Sequence, residues 1–187
     1  MSLTKRQSEI IDAALKLTAE GGIQNLTIKN LGNALGITEP AIYRHFRSKS
    51  EIVRTMIGRF DEAVPAESAE LHGIEAIAAF ARNRFGQVQA DPPLAQVMFA
   101  EELFMADAEF SERMLEMMHR HKETLERHFR EAQERGEIRK DLPVDMLFRL
   151  FFGPVRLLIK QWGMARGAFD LRRKGEELLN ALRLTLR

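Results

Sequence analysis

Apolar residues recur at intervals of three and four positions along most of the chain, which is the spacing of one face of an α-helix. Ile10, Ala14 and Leu17 show this spacing near the N-terminus, and Phe129 and Ala132 show it in a long stretch further on. No segment alternates between apolar and polar residues for long enough to indicate a β-strand. The pattern therefore predicts an all-α protein of about nine helices.

Capping residues mark the ends of the first predicted helices. Thr4 and Gln7 fit a capping box, in which each side chain satisfies a main-chain N–H at the start of the first helix. The pair of glycines at 21–22 ends that helix, because glycine readily adopts the left-handed conformation found at helix C-termini. Ser48 and Glu51 fit another capping box, which predicts the start of a fourth helix.

Between these helices, residues 27–46 form a pattern of cap, turn and cap. Thr27 is placed to cap a short second helix, and Thr38 is placed to cap a short third helix. Gly36 adopts a positive φ at little cost, so the chain turns sharply between them. Pro40 falls in the first turn of the third helix, where its missing N–H has no partner to lose. Two short helices joined in this way predict a helix-turn-helix.

The outer surface of the third helix carries side chains suited to DNA. Ile42 and Phe46 are four residues apart and are predicted to point inward, which leaves the opposite surface free. The second helix of such a motif lies in the major groove, where Arg44 would pair with guanine edges. Tyr43 and Lys49 are placed to meet phosphates.

Each of these residues also has a purely structural interpretation. Helix-turn-helix geometry occurs in all-α proteins that do not bind DNA. Tyr43 could be a half-buried core aromatic with its hydroxyl at the surface, and Lys49 could be a solvated lysine. Glu39 could accept from cytosine N4, or could simply place a favourable charge at a helix N-terminus.

The charge distribution adds a modest argument for a polyanionic partner. The chain carries a net charge of +1, yet residues 1–60 contain nine Lys/Arg against five Asp/Glu. The remainder contains nineteen against twenty-two. A basic excess confined to the N-terminal third fits nucleic acid, although small differences of this kind also arise by chance.

Residues 4–60 resemble the DNA-binding domain of the tetracycline-repressor (TetR) family of bacterial transcriptional regulators. Segments 10–14, 21–22, 26–28, 31–38, 41–46 and 48–49 carry the resemblance. It implies that Thr27 and Thr38 are caps and phosphate contacts, and that Tyr43 and Lys49 anchor the DNA backbone. Glu39 departs from the small, polar or basic residue often found at its position. The candidate DNA-binding set is Thr27, Lys29, Asn30, Thr38, Glu39, Pro40, Ala41, Tyr43, Arg44, His45 and Lys49.

The DNA-binding domain is predicted to span residues 1–64. The rest of the chain, residues 65–187, is rich in Phe and Met. An ordinary helical core explains any one of these residues. Met also adapts its shape to varied apolar ligands, and ligand sites in helical proteins often lie between helices. The resemblance implies an inducer bound among the middle helices. The sequence thus predicts a site for a small hydrophobic effector, bounded by Phe80, Met98, Phe99, Met114, Met118 and Phe148.

The last two predicted helices favour dimerisation. Residues 144–159 are apolar almost all round, which indicates burial on more than one side. The resemblance implies that two helices from each of two chains form a four-helix contact. The predicted contact residues are Leu147, Phe151, Leu158, Trp162, Leu178 and Leu182. A two-fold homodimer would present two recognition helices to a palindromic operator.

Other classes of function have little support in the sequence. There is no cysteine, His119, His121 and His128 are badly spaced for one metal ion, and no catalytic or phosphate-binding motif stands out. No enzyme, cofactor, metal site or membrane span is predicted, and the expected location is the cytoplasm. Two alternatives stay open. One is a DNA-binding regulator without a small-molecule effector, controlled by a protein partner or constitutive. The other is a helical binding protein or enzyme with a vestigial helix-turn-helix.

Overall fold

The structure is a computed structural model that describes residues 3–61, 70–97 and 108–187. Every regular element in these ranges is helical, which confirms the predicted all-α fold. The described α-helices are α1 (Lys5–Gly21), α2 (Ile28–Leu35), α3 (Glu39–Tyr43), α4 (Lys49–Asp61), α5 (Gly73–Ala90), α6 (Pro93–Val97), α7 (Ala108–Glu134), α8 (Val144–Met164) and α9 (Leu171–Leu186), with a 3₁₀ turn at Ile23–Asn25.

The described residues belong to two compact units. The first holds those of Met1–Asp61 and Gln96–Leu115, and the second holds those of Glu62–Ala95 and Glu116–Arg187. The sequence prediction divided the chain at residue 64, which lies outside the described residues. The helices predicted to contact DNA all lie in the first unit.

The core of the first unit forms where α1 packs against α2 and α4. Its fully buried side chains include Ile10, Ile11, Leu31, Ile42, Ile52 and Met56. Burying an aliphatic side chain of this size contributes about 1.5–3 kcal/mol. The helical pattern also places Ala34 on the inner face of α2, but Ala34 is exposed. The buried face of α2 is centred between Leu31 and Gly32, and Ala34 lies well to one side of it.

The second unit is built on α9, which packs against α5 and α8. Asp170 caps α9, because its Oδ1 accepts a hydrogen bond from Arg173 N at 3.1 Å. Phe129 of α7 and Phe151 of α8 are buried and meet edge to face, with ring centroids 5.9 Å apart. None of the described helices is both long and apolar enough to cross a membrane.

Candidate functional site

The turn between α2 and α3 is fixed by local hydrogen bonds. Thr27 Oγ1 accepts from Asn30 N at 3.0 Å, which confirms the predicted cap of α2. Gly36 has a φ of 65° in the left-handed region, also as predicted. Ile37 N donates to Gly32 O at 3.0 Å, and a Cβ on Gly32 would lie only 2.8 Å from Ile37 O. The backbone therefore folds tightly back on α2.

The recognition helix α3 is held mainly from its inner side. Ile42 and Phe46 are 0% and 2% exposed, which confirms the prediction that they point inward. Thr38 occupies the N-cap position, but its side chain makes no capping hydrogen bond. A third contact comes from α1, where Gln7 Nε2 donates to the main-chain carbonyl of His45 at 3.2 Å. A helix this short is not stable in isolation, so burial and this long-range hydrogen bond determine its orientation.

The start of α4 lies immediately after the recognition helix. Glu51 N donates to Ser48 Oγ at 3.1 Å, which confirms half of the predicted capping box. The Glu51 carboxylate accepts from Arg47 N at 2.5 Å, one residue earlier than a standard box requires. An ion pair of 2.7 Å between Arg59 and Asp12 joins α4 to α1. The N-terminus of α4, which carries a partial positive charge, follows α3 in the chain, and the other end of the helix is joined to α1.

The candidate DNA-binding residues lie at the surface of the first unit. Tyr43 is 49% exposed, so a role as a core aromatic is disfavoured. The Asn30 amide donates to Asn25 O at 2.8 Å and to Asn25 Oδ1 at 3.1 Å, so its side chain has a structural role. Thr27, Lys29, Thr38, Glu39, Pro40, Tyr43 and Arg44 are exposed, and Asn30, Ala41, His45 and Lys49 are half-buried.

The residues predicted to bind an effector are only partly brought together. Met98 and Phe99 lie outside the described residues, and Met114 is a buried residue of the first unit. Met118 is 43% exposed. In the second unit, Phe80 and Phe148 are linked through Phe152, which stacks on Phe148 at 5.2 Å and lies 6.4 Å from Phe80. We call Phe80, Phe148 and Phe152 the aromatic cluster.

A buried polar group borders the aromatic cluster, and the sequence prediction omitted it. Arg84 is 4% exposed, and its guanidinium carbon lies 5.0 Å from the centre of the Phe80 ring. Its nitrogens lie 3.2 Å from Gln87 Oε1 and 3.3 Å from His121 Nε2. The signal was present, because Arg84 lies seven residues from Ile77 and four from Val88 on the inner face of α5.

The residues predicted for a dimer contact mostly face the interior of their own chain. Leu147, Phe151, Trp162 and Leu182 are buried in the protomer, and Leu158 and Leu178 are half-buried. Their inward faces are taken up by packing within the second unit. The large apolar side chains that α8 leaves exposed are instead Met146, Leu150, Leu157 and Met164. We call these four residues the α8 stripe, since spacings of four, seven and seven place them on one side of the helix.

Family models match both parts of the chain. Residues 10–56 match the model described as bacterial regulatory proteins, tetR family. Residues 77–161 match the model described as tetracyclin repressor-like, C-terminal domain. The first match covers the helix-turn-helix, and the second covers the aromatic cluster and most of α8.

Full-length relatives support the same assignment. The fatty acid metabolism regulator protein of Bacillus subtilis is 24% identical over 168 residues, spanning 87% of this chain and 86% of the relative. The fatty acid degradation regulator FadR of Bacillus halodurans has a similar fold, with a TM-score of 0.81, 23% identity and full coverage of both chains. The structure of FadR of Bacillus subtilis in complex with stearoyl-CoA has a TM-score of 0.78 and 24% identity. The match covers 96% of this chain and 99% of that chain. The capped helix-turn-helix, the helical second unit and both family matches together show that this chain is a DNA-binding transcriptional regulator of the TetR family.

Proposed function

We propose that this regulator is a repressor that binds a palindromic operator as a homodimer and is released by a small hydrophobic effector. The observation that carries the proposal is that one side of the recognition helix is buried and the other is exposed. Ile42 and Phe46 are buried in the first unit, whereas Tyr43 and Arg44 project into solvent. A short helix fixed in this way is suited to the major groove.

The side chains of α3 and of the residues that follow it are suited to two kinds of DNA contact. Arg44 can form two parallel hydrogen bonds to a guanine edge, which discriminates by about 1–3 kcal/mol against other bases. Tyr43 and Lys49, with the N-terminus of α4, have the chemistry of phosphate contacts, which position the protein without reading sequence. Glu39 adds an acceptor that suits cytosine N4.

The α8 stripe supports a dimer contact that differs in detail from the sequence prediction. Four large apolar side chains on one side of a helix, up to 77% exposed, are an unusual surface for a monomer. Leu147, Phe151, Trp162 and Leu182 have little area left for a partner. We therefore propose that the α8 stripe, with the exposed Leu184 of α9, forms the seam. A two-fold pair would place its recognition helices about 34 Å apart, or a multiple of that distance.

The effector site is proposed to include the aromatic cluster. Mostly apolar walls with a few polar groups are typical of ligand sites, and Arg84 and His121 supply polar groups beside Phe80. The Bacillus subtilis FadR structure contains stearoyl-CoA. By similarity, we propose an effector with an apolar chain. Phe80 and Phe148 remain in this site from the sequence prediction, while Met98, Phe99, Met114 and Met118 remain proposals from sequence.

Release from DNA would follow from a population shift. An effector lowers operator affinity only if it binds the DNA-competent state more weakly than an alternative state. The coupling is reciprocal, so operator DNA must weaken effector binding by the same factor.

Since bacterial DNA lies in the cytoplasm, the proposed location is the cytoplasm.

The test begins with selection of an operator from random duplexes, followed by anisotropy titrations. We expect a palindromic site, an affinity that falls steeply with salt, and release by an acyl-CoA of suitable chain length. Free CoA and the fatty acid alone test whether the apolar chain, the headgroup or both are required. Binding without release by any member of the panel would favour the regulator without a small-molecule effector. Failure to select any sequence would favour the vestigial helix-turn-helix.

A matched pair of variants tests the site itself. Phe152→Ala removes the ring that links Phe80 to Phe148, so it should weaken effector release while leaving operator affinity unchanged. Arg149→Ala changes an exposed residue of the same helix and should alter neither property. Equal effector response in the wild type and the Phe152 variant would remove the aromatic cluster from the site.

A further inference from the structure

The Gln7 side chain joins the first helix to the recognition helix. Its Oε1 lies 3.0 Å from Thr4 N and 3.1 Å from Thr4 Oγ1, and its Nε2 lies 3.2 Å from His45 O. The two residues it connects are far apart in sequence. Both ends of the amide are therefore engaged, one in the cap of α1 and the other 38 residues along the chain.

The chemistry of these partners fixes the orientation of the amide. Thr4 N can only donate, so it faces the amide oxygen, and His45 O can only accept, so it faces the amide nitrogen. Turning the amide over would place two oxygens together and two N–H groups together. The bond to His45 is consequently specific for glutamine in this orientation, and a carboxylate at position 7 would lose it.

The bond acts at the C-terminal end of α3. The helix is five residues long, and Arg44 and His45 follow its last turn. Ile42 and Phe46 hold the inner side by burial, and because apolar packing is not directional it leaves the helix free to make small rotations about its axis. A hydrogen bond from α1 to the carbonyl of His45 removes that freedom at the end where Arg44 projects.

We propose that Gln7 is a positioning residue for DNA recognition, which sets the rotation of the recognition helix through the carbonyl of His45. The proposal rests on the proposed role of α3 in reading DNA. Gln7 lies before residues 10–56, the part of the chain matched by the DNA-binding family model. Base contacts need accurate geometry, whereas phosphate contacts tolerate small shifts. Loss of the bond should therefore reduce selectivity more than general affinity.

The experiment separates positioning from helix capping with three variants of the full chain. Gln7→Met removes all three hydrogen bonds of the side-chain amide without changing charge. Thr4→Ala removes the cap hydroxyl but leaves the Gln7 bond to His45. Gln7→Glu retains an acceptor for the cap and loses only the donor. Each is titrated against the selected operator and against a scrambled duplex, and circular dichroism confirms that it folds.

Gln7→Met and Gln7→Glu should lower the ratio of operator to scrambled affinity by about two- to tenfold, the range for one neutral hydrogen bond. The added charge of Gln7→Glu should weaken binding to both duplexes equally, and that part cancels in the ratio. Thr4→Ala should leave the ratio unchanged while lowering thermal stability.

An unchanged ratio in Gln7→Met would overturn the positioning role. So would a Thr4→Ala variant that loses as much selectivity as Gln7→Met, because the cap would then account for the effect. A wild-type chain that does not distinguish the two duplexes would overturn the proposed function, and this inference with it.

Discussion

Gly175 of α9 lies directly against the buried ring of Phe85 of α5. A Cβ built on Gly175 would overlap three ring carbons of Phe85, and the most distant of them, Cγ, would lie only 2.9 Å away. Phe85 is 1% exposed, so its ring cannot move aside into solvent. The close approach of α9 to α5 therefore depends on the absence of a side chain at position 175.

The first prediction follows from this contact. Gly175→Ala should destabilise the second unit by about 1–3 kcal/mol, the usual range for overpacking a core. Urea unfolding measures the change. Adding Phe85→Leu should recover part of the loss, since the two positions touch and their effects are coupled. Strict additivity of the two substitutions would contradict the proposed contact.

The caps of α2 and α3 provide a second, matched comparison. Thr27 Oγ1 accepts a hydrogen bond from Asn30 N, whereas the Thr38 side chain caps nothing. Thr27→Ala should therefore lower the free energy of unfolding by about 1 kcal/mol, and Thr38→Ala should lower it by clearly less. Denaturant titration of both variants distinguishes them. If Thr38 also meets a phosphate, its variant should lose operator affinity despite its retained stability.

The third prediction separates phosphate contacts from base contacts. Tyr43→Phe combined with Lys49→Ala should weaken binding to operator and scrambled DNA alike and should reduce the salt slope by about 1. Arg44→Ala should instead relax the base preference at the positions it reads. Anisotropy against single-base variants of the operator measures both effects. Equal loss on every duplex in the Arg44 variant would refute its assigned role.

The fourth prediction concerns the α8 stripe. Leu157 is 56% exposed, so Leu157→Arg should leave the folded protomer intact while introducing like charges at the proposed two-fold seam. Sedimentation should show monomers, and operator affinity should fall because paired half-sites are no longer bridged. Leu147→Ala is the contrasting variant, because Leu147 is fully buried and its truncation should cost about 2–5 kcal/mol of stability. A Leu157→Arg variant that remains dimeric would exclude the stripe.

The fifth prediction is that the Glu131 carboxylate, beside the start of α5, makes a pH-dependent contribution to the free energy of unfolding. Glu131 Oε2 lies 3.0 Å from His128 Nδ1 and 3.3 Å from Gly73 N. The hydrogen bond from His128, and secondarily the one from Gly73 N, hold the pKa of the Glu131 carboxyl below its ordinary value of 4.5. A lowered pKa in the folded state contributes stability above about pH 4.5 that is lost as the pH falls through the folded value.

Glu131→Gln should accordingly destabilise the protein by about 1 kcal/mol at pH 7, and by less at pH 3, below the ordinary pKa of 4.5. Unfolding titrations at the two pH values measure the difference. Glu134→Gln, an exposed position on the same helix, serves as the control and should show no such dependence. A deficit of the same size at both pH values would rule out the charged carboxylate as its source.

The helix boundaries and the helix-turn-helix were predictable because they depend on neighbours within a few residues. A cap bonds to a main-chain N–H three positions away, as Thr27 does with Asn30 and Asp170 with Arg173. A left-handed Gly36 requires only the local backbone. The family resemblance rests on the same short spacings, and the matched family models confirm it.

Contacts between distant segments are different, because no local spacing encodes them. The sequence predicted Gln7 as part of a cap, and only the folded chain brings its other end to His45. Arg84 is a similar case, since helical spacing indicates an inward position but only the folded chain brings its guanidinium within 3.3 Å of His121 Nε2.

The limit of prediction from sequence is clearest for α8, because the sequence did not indicate which face of this helix packs within the protomer. Its apolar residues surround the helix, so periodicity indicated burial on more than one side without saying which side faces which neighbour. Packing in the second unit encloses Leu147 and Phe151 and leaves Leu150 and Leu157 in solvent. The sequence by itself determined where the first four helices begin, where α1 ends and which residues project from α3, since those features are local. The tertiary structure decided which apolar surfaces are used within the protomer, because that depends on the shape of the helices packed against them.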